Sequence, residues 1–248
     1  MAHAHYIKRL IKKRTWPFCR PLYLEWDGLV STEQEYLKAF RDEAAEAKAL
    51  FSNAGQQLQE RTAVAGFLRV LGIEFLENEI IKRGPEPIDI WFRDARFQVT
   101  EILDESRQRN REISERAERS KKAKSLDDLL EPWSISSEPM APRELVDLAS
   151  ARSNSKADHY GQSCNGVDLL IYLNLKRRHV YPPEPFPPFP ESARLCWRSV
   201  SVVMEHFAIV LWTAADAPSF LVQRMGKGMI WSKGPESVFP KLKPSQER

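Results

Sequence analysis

Pro87-Ile88-Asp89-Ile90-Trp91-Phe92, followed after a polar turn by Phe97-Gln98-Val99-Thr100-Glu101-Ile102, is the stretch on which the reading of this chain turns. Apolar residues alternate through Ile88, Ile90 and Phe92 and again through Phe97 and Val99, the period of half-buried strands. Side chains two apart share a face of a strand. Asp89 and Trp91 therefore lie opposite Ile88 and Ile90, and Gln98 with Thr100 lies opposite Phe97 and Val99. Arg93-Asp94-Ala95-Arg96 supplies the turn. The pattern is that of a hairpin carrying an acid on one strand and a polar pair on the next, the makings of a metal site.

The rest of the chain bounds what such a hairpin could serve. With 248 residues it can bury a full core as one domain with appendages. The expected layout is a basic extension over 1–30, a main domain over 31–240 and a polar tail over 241–248. No apolar run approaches the roughly 18 residues of a membrane span, and no secretory leader is legible, so a cytoplasmic protein is expected. Cys19, Cys164 and Cys196 are odd in number and widely spaced, which predicts reduced, unpaired cysteines. A net charge of +3 does not by itself announce a nucleic-acid partner. Its distribution says more. Lys8, Arg9, Lys12, Lys13, Arg14 and Arg20 precede the first acid, Glu25, and alternate with Tyr6, Trp16, Phe18 and Tyr23, a mixture suited to phosphate contact and base stacking. A disordered arm or a misassigned start accounts for that stretch at least as well.

Ser31 or Thr32 caps a helix running to about Leu50, with Tyr36, Leu37, Phe40, Ala44, Ala47 and Phe51 as its buried stripe. Asn53 and Gln56 form the capping-box pattern for a second helix that ends near Gly72. In it Val64, Phe67, Leu68 and Leu71 occupy i, i+3, i+4 and i+7, and one turn back from Val64 lies Glu60. A carboxylate thus sits at the edge of the core stripe. A favourable place near the helix N-terminus, about 0.3 to 1 kcal/mol, explains it equally well. Ile73 to Ile81 is a candidate strand.

Residues 104–124 read as a solvated helix with little apolar face beyond Ile113 and Ala117. Many of its charges can pair at i, i+4, yet a basic excess including Arg107 and Arg109 remains for a phosphate backbone. Trp133 to Pro142 reads as a loop, Pro142 opens a helix toward Tyr160, and Val167 to Leu175 is the clearest buried strand. Lys156 and Tyr160 precede that strand and could contact a phosphate. The Pro-rich run from Tyr181 to Pro190 is a stiff spacer, and Val200 to Trp212 a further apolar run of β character. Gly161-Gln162-Ser163-Cys164-Asn165-Gly166 misses the nucleophile-elbow spacing by one residue, and His159, His179 and His206 lack the spacing of helix-borne zinc ligands.

The hairpin, with its acid on one strand and polar-x-polar pair on the next, resembles nucleases of the PD-(D/E)xK superfamily, and Phe92-Arg93-Asp94-Ala95-Arg96-Phe97, Leu103-Asp104-Glu105-x-Arg107, Asp168 to Leu175 and Trp197-Arg198-Ser199 sharpen the resemblance to one family. Within it the chain is similar to a bacterial family of unknown function labelled "putative endonuclease", from about Val30 to beyond Trp212. The resemblance implies an α/β restriction-endonuclease-like core, a central mixed sheet flanked by helices. It implies Asp89 and Glu60 as metal ligands, Gln98 as third-ligand candidate, Thr100 as the water-positioning residue, and Mg2+ or Mn2+ as cofactor where the site is active. Arg107, Arg109, Lys156 and Tyr160 are the candidate nucleic-acid contacts. DNA is the expected substrate, with RNA open, no membrane partner, and homo-oligomerisation compatible with the sequence. The chain departs from the pattern where the superfamily has an acid and, two residues on, a lysine: here stand Gln98 and Thr100. A nuclease-like nucleic-acid-binding protein without catalysis is therefore the alternative, and an interaction module on the same fold is the third reading.

Overall fold

The computed structural model describes residues 32–52, 55–81, 86–105, 107–129, 138–175, 178–180 and 185–231. The basic N-terminal stretch, the Asn53 cap, residues 181–184 of the proline run and the polar tail lie outside them. The chain divides into two units.

The first unit comprises Met1–Gln59, Ser106–Ser134 and Gly234–Ser237. Its helix α1, Glu33–Leu50, starts at Thr32, whose hydroxyl accepts from the Glu35 amide while the Glu35 carboxylate accepts from the Thr32 amide. Two otherwise unpaired donors of the first turn are satisfied, worth about 1 kcal/mol. Leu37, Ala44 and Ala47 are buried, as the stripe predicts. Helix α3, Arg109–Lys122, packs on α1: Ile113 joins Ala47 and Phe51, and Arg41 donates to the carbonyls of Ser120 and Ala123. Arg111 and Glu115 form the expected i, i+4 pair at 2.7 Å, whereas Arg116 reaches across to Glu43 at 2.9 Å.

The second unit, Glu60–Glu105, Ile135–Lys233 and Val238–Arg248, holds a six-stranded sheet. Helix α2, Gln56–Val70, contributes all but its first turn to this unit. Next come β1 (Ile90–Phe92), β2 (Ala95–Leu103), β3 (Glu138–Met140), α4 (Pro142–Tyr160), β4 (Val167–Asn174) and β5 (Arg178–Val180). The chain then runs through β6 (Trp197–Met204), β7 (Phe207–Thr213), α5 (Ser219–Val222) and β8 (Gly228–Ile230). The sheet order is β1-β2-β4-β6-β7-β8, with β2, β4 and β6 parallel and the outer pairings antiparallel, while β3 and β5 form a separate parallel pair. This is a mixed α/β fold with a central mixed sheet flanked by helices. Every residue of β4 and β6 is buried, as expected of parallel strands covered on both faces.

Helices take opposite faces of β2. Phe67 of α2 meets Phe97 edge to face at 6.1 Å, while Ile102, Leu169 and Ile171 pack with Leu145 and Ala149 of α4. Burying each such side chain contributes about 1.5 to 3 kcal/mol. Helix α2 is buried almost all round, and even Arg61 is enclosed, donating to the carbonyls of Ile80 and Glu77.

Three expectations need correction. Ile73 to Ile81 is no strand: a 3-10 turn, Glu77–Glu79, occupies it and only Ile81 bridges to Trp91. The amide of Leu76 bonds the Glu79 carboxylate, which curls the segment. Val200 to Trp212 is a hairpin rather than one run, because the chain reverses at Glu205-His206, with Glu205 at φ 46°. Cys164 and Cys196 form a disulfide. They precede the neighbouring parallel strands β4 and β6, which brings their Cα atoms to 5.4 Å although 32 residues separate them in sequence. Cys19 lies outside the described residues. Among the described residues no helix is long and apolar enough to cross a membrane.

Candidate functional site

Phe92 pairs with Ala95, so the hairpin turns on Arg93-Asp94 alone, tighter than the four-residue turn read from sequence. The same register pairs Trp91 with Arg96 and Ile90 with Phe97. One residue before that pairing, the Asp89 carboxylate reaches the Gln98 side chain. There the Asp89 amide donates to the Phe97 carbonyl at 2.9 Å, and its Oδ2 accepts from the Val99 amide at 2.8 Å and from Gln98 Nε2 at 3.1 Å. Gln98 Nε2 also donates to the Val99 carbonyl at 3.0 Å. Gln98 is only 3 % exposed, and its Oε1 has no hydrogen-bond partner among the described residues. A buried amide oxygen without a donor is costly, on the order of 1–3 kcal/mol. Thr100, also buried, follows on the same face.

Burial raises the Asp89 carboxyl to about 7, and the nearby charge of Glu60 pushes in the same direction. The Val99 amide, the Lys156 ammonium and the Gln98 amide oppose it. Glu60 itself is buried. Sequence placed it at the edge of the α2 core stripe, and the fold sets it where its charge is felt at Asp89, which precedes the first residue of β1 at the margin of the sheet.

Helix α4 brings the third component. Lys156 and Tyr160, one turn apart, stack with Nζ 5.4 Å from the ring centroid. Tyr160 packs against the same apolar cluster as Ile88, the neighbour of Asp89. Its phenol is pushed up by burial and then by the charges of Asp89, Glu86 and Glu60. Glu60, Lys156 and Tyr160 are thus within electrostatic reach of Asp89, while the groups in hydrogen-bond contact with its carboxylate are Gln98 and the Val99 amide. Arg107 and Arg109 belong to the first unit, where Arg107 pairs with Glu112 at 3.2 Å and the Arg109 guanidinium lies 4.5 Å from the Phe51 ring centroid.

Beside the hairpin lies a network that residue patterning alone did not assemble. Asp168, fully buried, accepts from the Arg96 amide at 2.9 Å, from Arg198 Nε at 3.2 Å and from Ser199 Oγ at 2.8 Å, and its Oδ2 also pairs with Arg198 Nη2. Arg198 donates in turn to the Asp94 carbonyl at 2.8 Å. The network fastens the hairpin turn to β4 and β6. Among the described residues no group of three or more His, Cys, Asp or Glu side chains could hold a metal, so any cation at Asp89 needs amide, main-chain or solvent oxygen as well.

Comparison with known proteins adds a family. A model for the family described as "Putative endonuclease, protein of unknown function (DUF1780)" matches residues 32–237, and the chain belongs to that family. A solved structure from Pseudomonas aeruginosa strain PAO1, named as a protein of unknown function of the monooxygenase superfamily, is similar at 28 % identity. The alignment covers 83 % of this chain and 99 % of that one, with a TM-score of 0.57. No curated protein matches.

Proposed function

We infer that this member of the "putative endonuclease" family is a metal-dependent nuclease with a restriction-endonuclease-like, PD-(D/E)xK core, hydrolysing phosphodiester bonds in DNA. The observation that carries the reading is the meeting of Asp89 with Gln98, whose buried amide oxygen lacks a donor, in the field of Glu60. The donor set is all oxygen, which suits Mg2+ or Mn2+ rather than zinc. Glu60 and Asp89 would hold the ion, with Gln98 Oε1 and the Val99 carbonyl as neutral ligands. When bound, such an ion polarises the scissile phosphate and activates water.

The chain's own groups supply the rest. Thr100, next along the Gln98 face, can orient a water by hydrogen bonding but cannot lend positive charge. Lys156 is a cation that already acts on Asp89, and it offsets charge developing on a phosphate.

A second reading has its own observation. Gln98 Nε2 sits between the Asp89 carboxylate and the Val99 carbonyl, satisfying oxygens that would otherwise face a cation. A nuclease-like protein that binds DNA without cutting it would keep that arrangement. Plasmid nicking with Mg2+ or Mn2+ separates the two. The nuclease reading expects nicking that chelation, Asp89→Ala or Glu60→Gln abolishes. Duplex binding without nicking by folded wild-type protein establishes the second reading instead.

A further inference from the structure

The face of β2 that carries Gln98 continues two residues back to Arg96, whose cross-strand partner is Trp91. The Arg96 guanidinium lies 5.6 Å from the Trp91 ring centroid. Arg96 is part-exposed and its side chain donates to no acceptor among the described residues; only its Nε, with Trp91 Nε1, is enclosed within the pair. This is unlike the other arginines of the region. Arg198 is held by Asp168, Arg61 by two carbonyls, and Arg93 by Glu79 and the Glu74 carbonyl. The Arg96 backbone is fixed by Asp168 and its partner by the hairpin register, so the pair is presented by rigid elements while its donors stay unspoken for.

We propose that Trp91 and Arg96 form a phosphate subsite, taking the backbone phosphate next to the one held at Asp89 and Gln98. Its ligand class is a phosphodiester strand running along the hairpin face. The inference rests on the nuclease reading for the identity of the neighbouring phosphate. Chemistry favours an anion: the part-exposed Arg96 guanidinium has no ion-pair partner among the described residues, and a phosphate oxygen offers its outer nitrogens an acceptor with full charge. Spacing fits as well. Positions two apart on a strand are about 7 Å apart, close to the interval between successive phosphates of an extended nucleic-acid strand. Trp91 adds an indole against which sugar or base can pack.

The test uses the full chain in EDTA, so that no metal or cleavage enters, with a short mixed-sequence DNA duplex as probe. The indole N–H resonance of Trp91, identified by its loss in Trp91→Phe, is followed by NMR during titration, and affinity is read by fluorescence anisotropy across a salt series. The expected result is a shift of the Trp91 indole signal on binding, and in Arg96→Gln a roughly tenfold loss of affinity with a log–log salt slope lower by about one. Arg96→Lys should restore the slope but only part of the affinity. Should Arg96→Gln fail to fold, the wild-type indole shift and the Arg96→Lys series still decide. An unmoved indole signal while the duplex binds overturns the proposal, as does unchanged affinity and slope in folded Arg96→Gln, or no duplex binding by the wild type. Failure of the nuclease reading shows separately, as absent metal-dependent nicking in a protein whose Trp91 signal still responds to DNA.

Discussion

Gln98 Nε2 lies 3.1 Å from Asp89 Oδ2, and the other oxygen it contacts, at 3.0 Å, is the main-chain carbonyl of Val99. An amide nitrogen therefore occupies the place between two oxygens that a small cation would take, while the amide oxygen is buried without a donor. Turning the amide end for end would present Oε1 to a cation held by Asp89. On the proposed metal site Gln98 would then be a neutral ligand, whose charge would set the affinity.

Gln98→Glu should tighten Mn2+ binding about tenfold, roughly 1.4 kcal/mol, because a formal charge joins a site of two carboxylates. The metal-free variant should be less stable than wild type, since three carboxylates then share one locality. Calorimetric Mn2+ titration and urea unfolding of the same samples measure both effects.

The pH dependence of metal-free stability follows from Asp89 and Glu205, both raised to about 7, Asp89 by burial and Glu60, Glu205 by burial alone. Between the ordinary carboxylate range and about pH 7 the unfolded chain has lost these protons and the folded chain keeps them. Their contribution is therefore present at low pH and disappears as pH rises through about 7. Urea midpoints corrected for other groups by the double variant Asp89→Asn, Glu205→Gln should show it: the variant gains stability over wild type at pH 8 and loses that advantage near pH 4.

Arg198→Met should destabilise the protein by about 3–5 kcal/mol, because it strips Asp168 of its partner in a fully buried position. Since the network fastens the hairpin turn and does not touch Asp89, Mn2+ affinity at a temperature where the variant is folded should stay within about twofold of wild type. Denaturant unfolding beside calorimetry checks the separation.

The Cys164–Cys196 bridge closes a loop of 32 residues in sequence separation, for which chain entropy gives about 3–4 kcal/mol. Cys196→Ala should lower stability by about that amount in oxidising buffer and by little under dithiothreitol. Thiol counting of the denatured protein verifies the bridge in each sample.

Much of this was legible from the chain alone. The Thr32 cap, the Pro142 start of α4 and the buried strand after Val167 follow from local rules, and each stands within a residue or two of its expected place. The hairpin was legible because Ile88, Ile90 and Phe92 alternate with polar neighbours. What was not legible depends on neighbours distant in sequence. Cys164 meets Cys196 only because β4 and β6 lie parallel, and Asp168, Arg198 and Ser199 become one network for the same reason. Trp91 and Arg96 could have been paired from sequence only with the turn known to be two residues long. Ile73 to Ile81 misled because its apolar residues share no buried face: Ile80 is buried while Leu76 and Ile81 are exposed, around a turn held by the Glu79 carboxylate.

The central claim is that Glu60 and Asp89 hold one divalent cation, and calorimetric titration of Mn2+ into metal-stripped protein tests it most directly. The account expects a single site per chain in the wild type, lost in Asp89→Ala and weakened at least tenfold in Glu60→Gln, with both variants folded. Absence of binding to the wild type, or binding that survives Asp89→Ala unchanged, contradicts it.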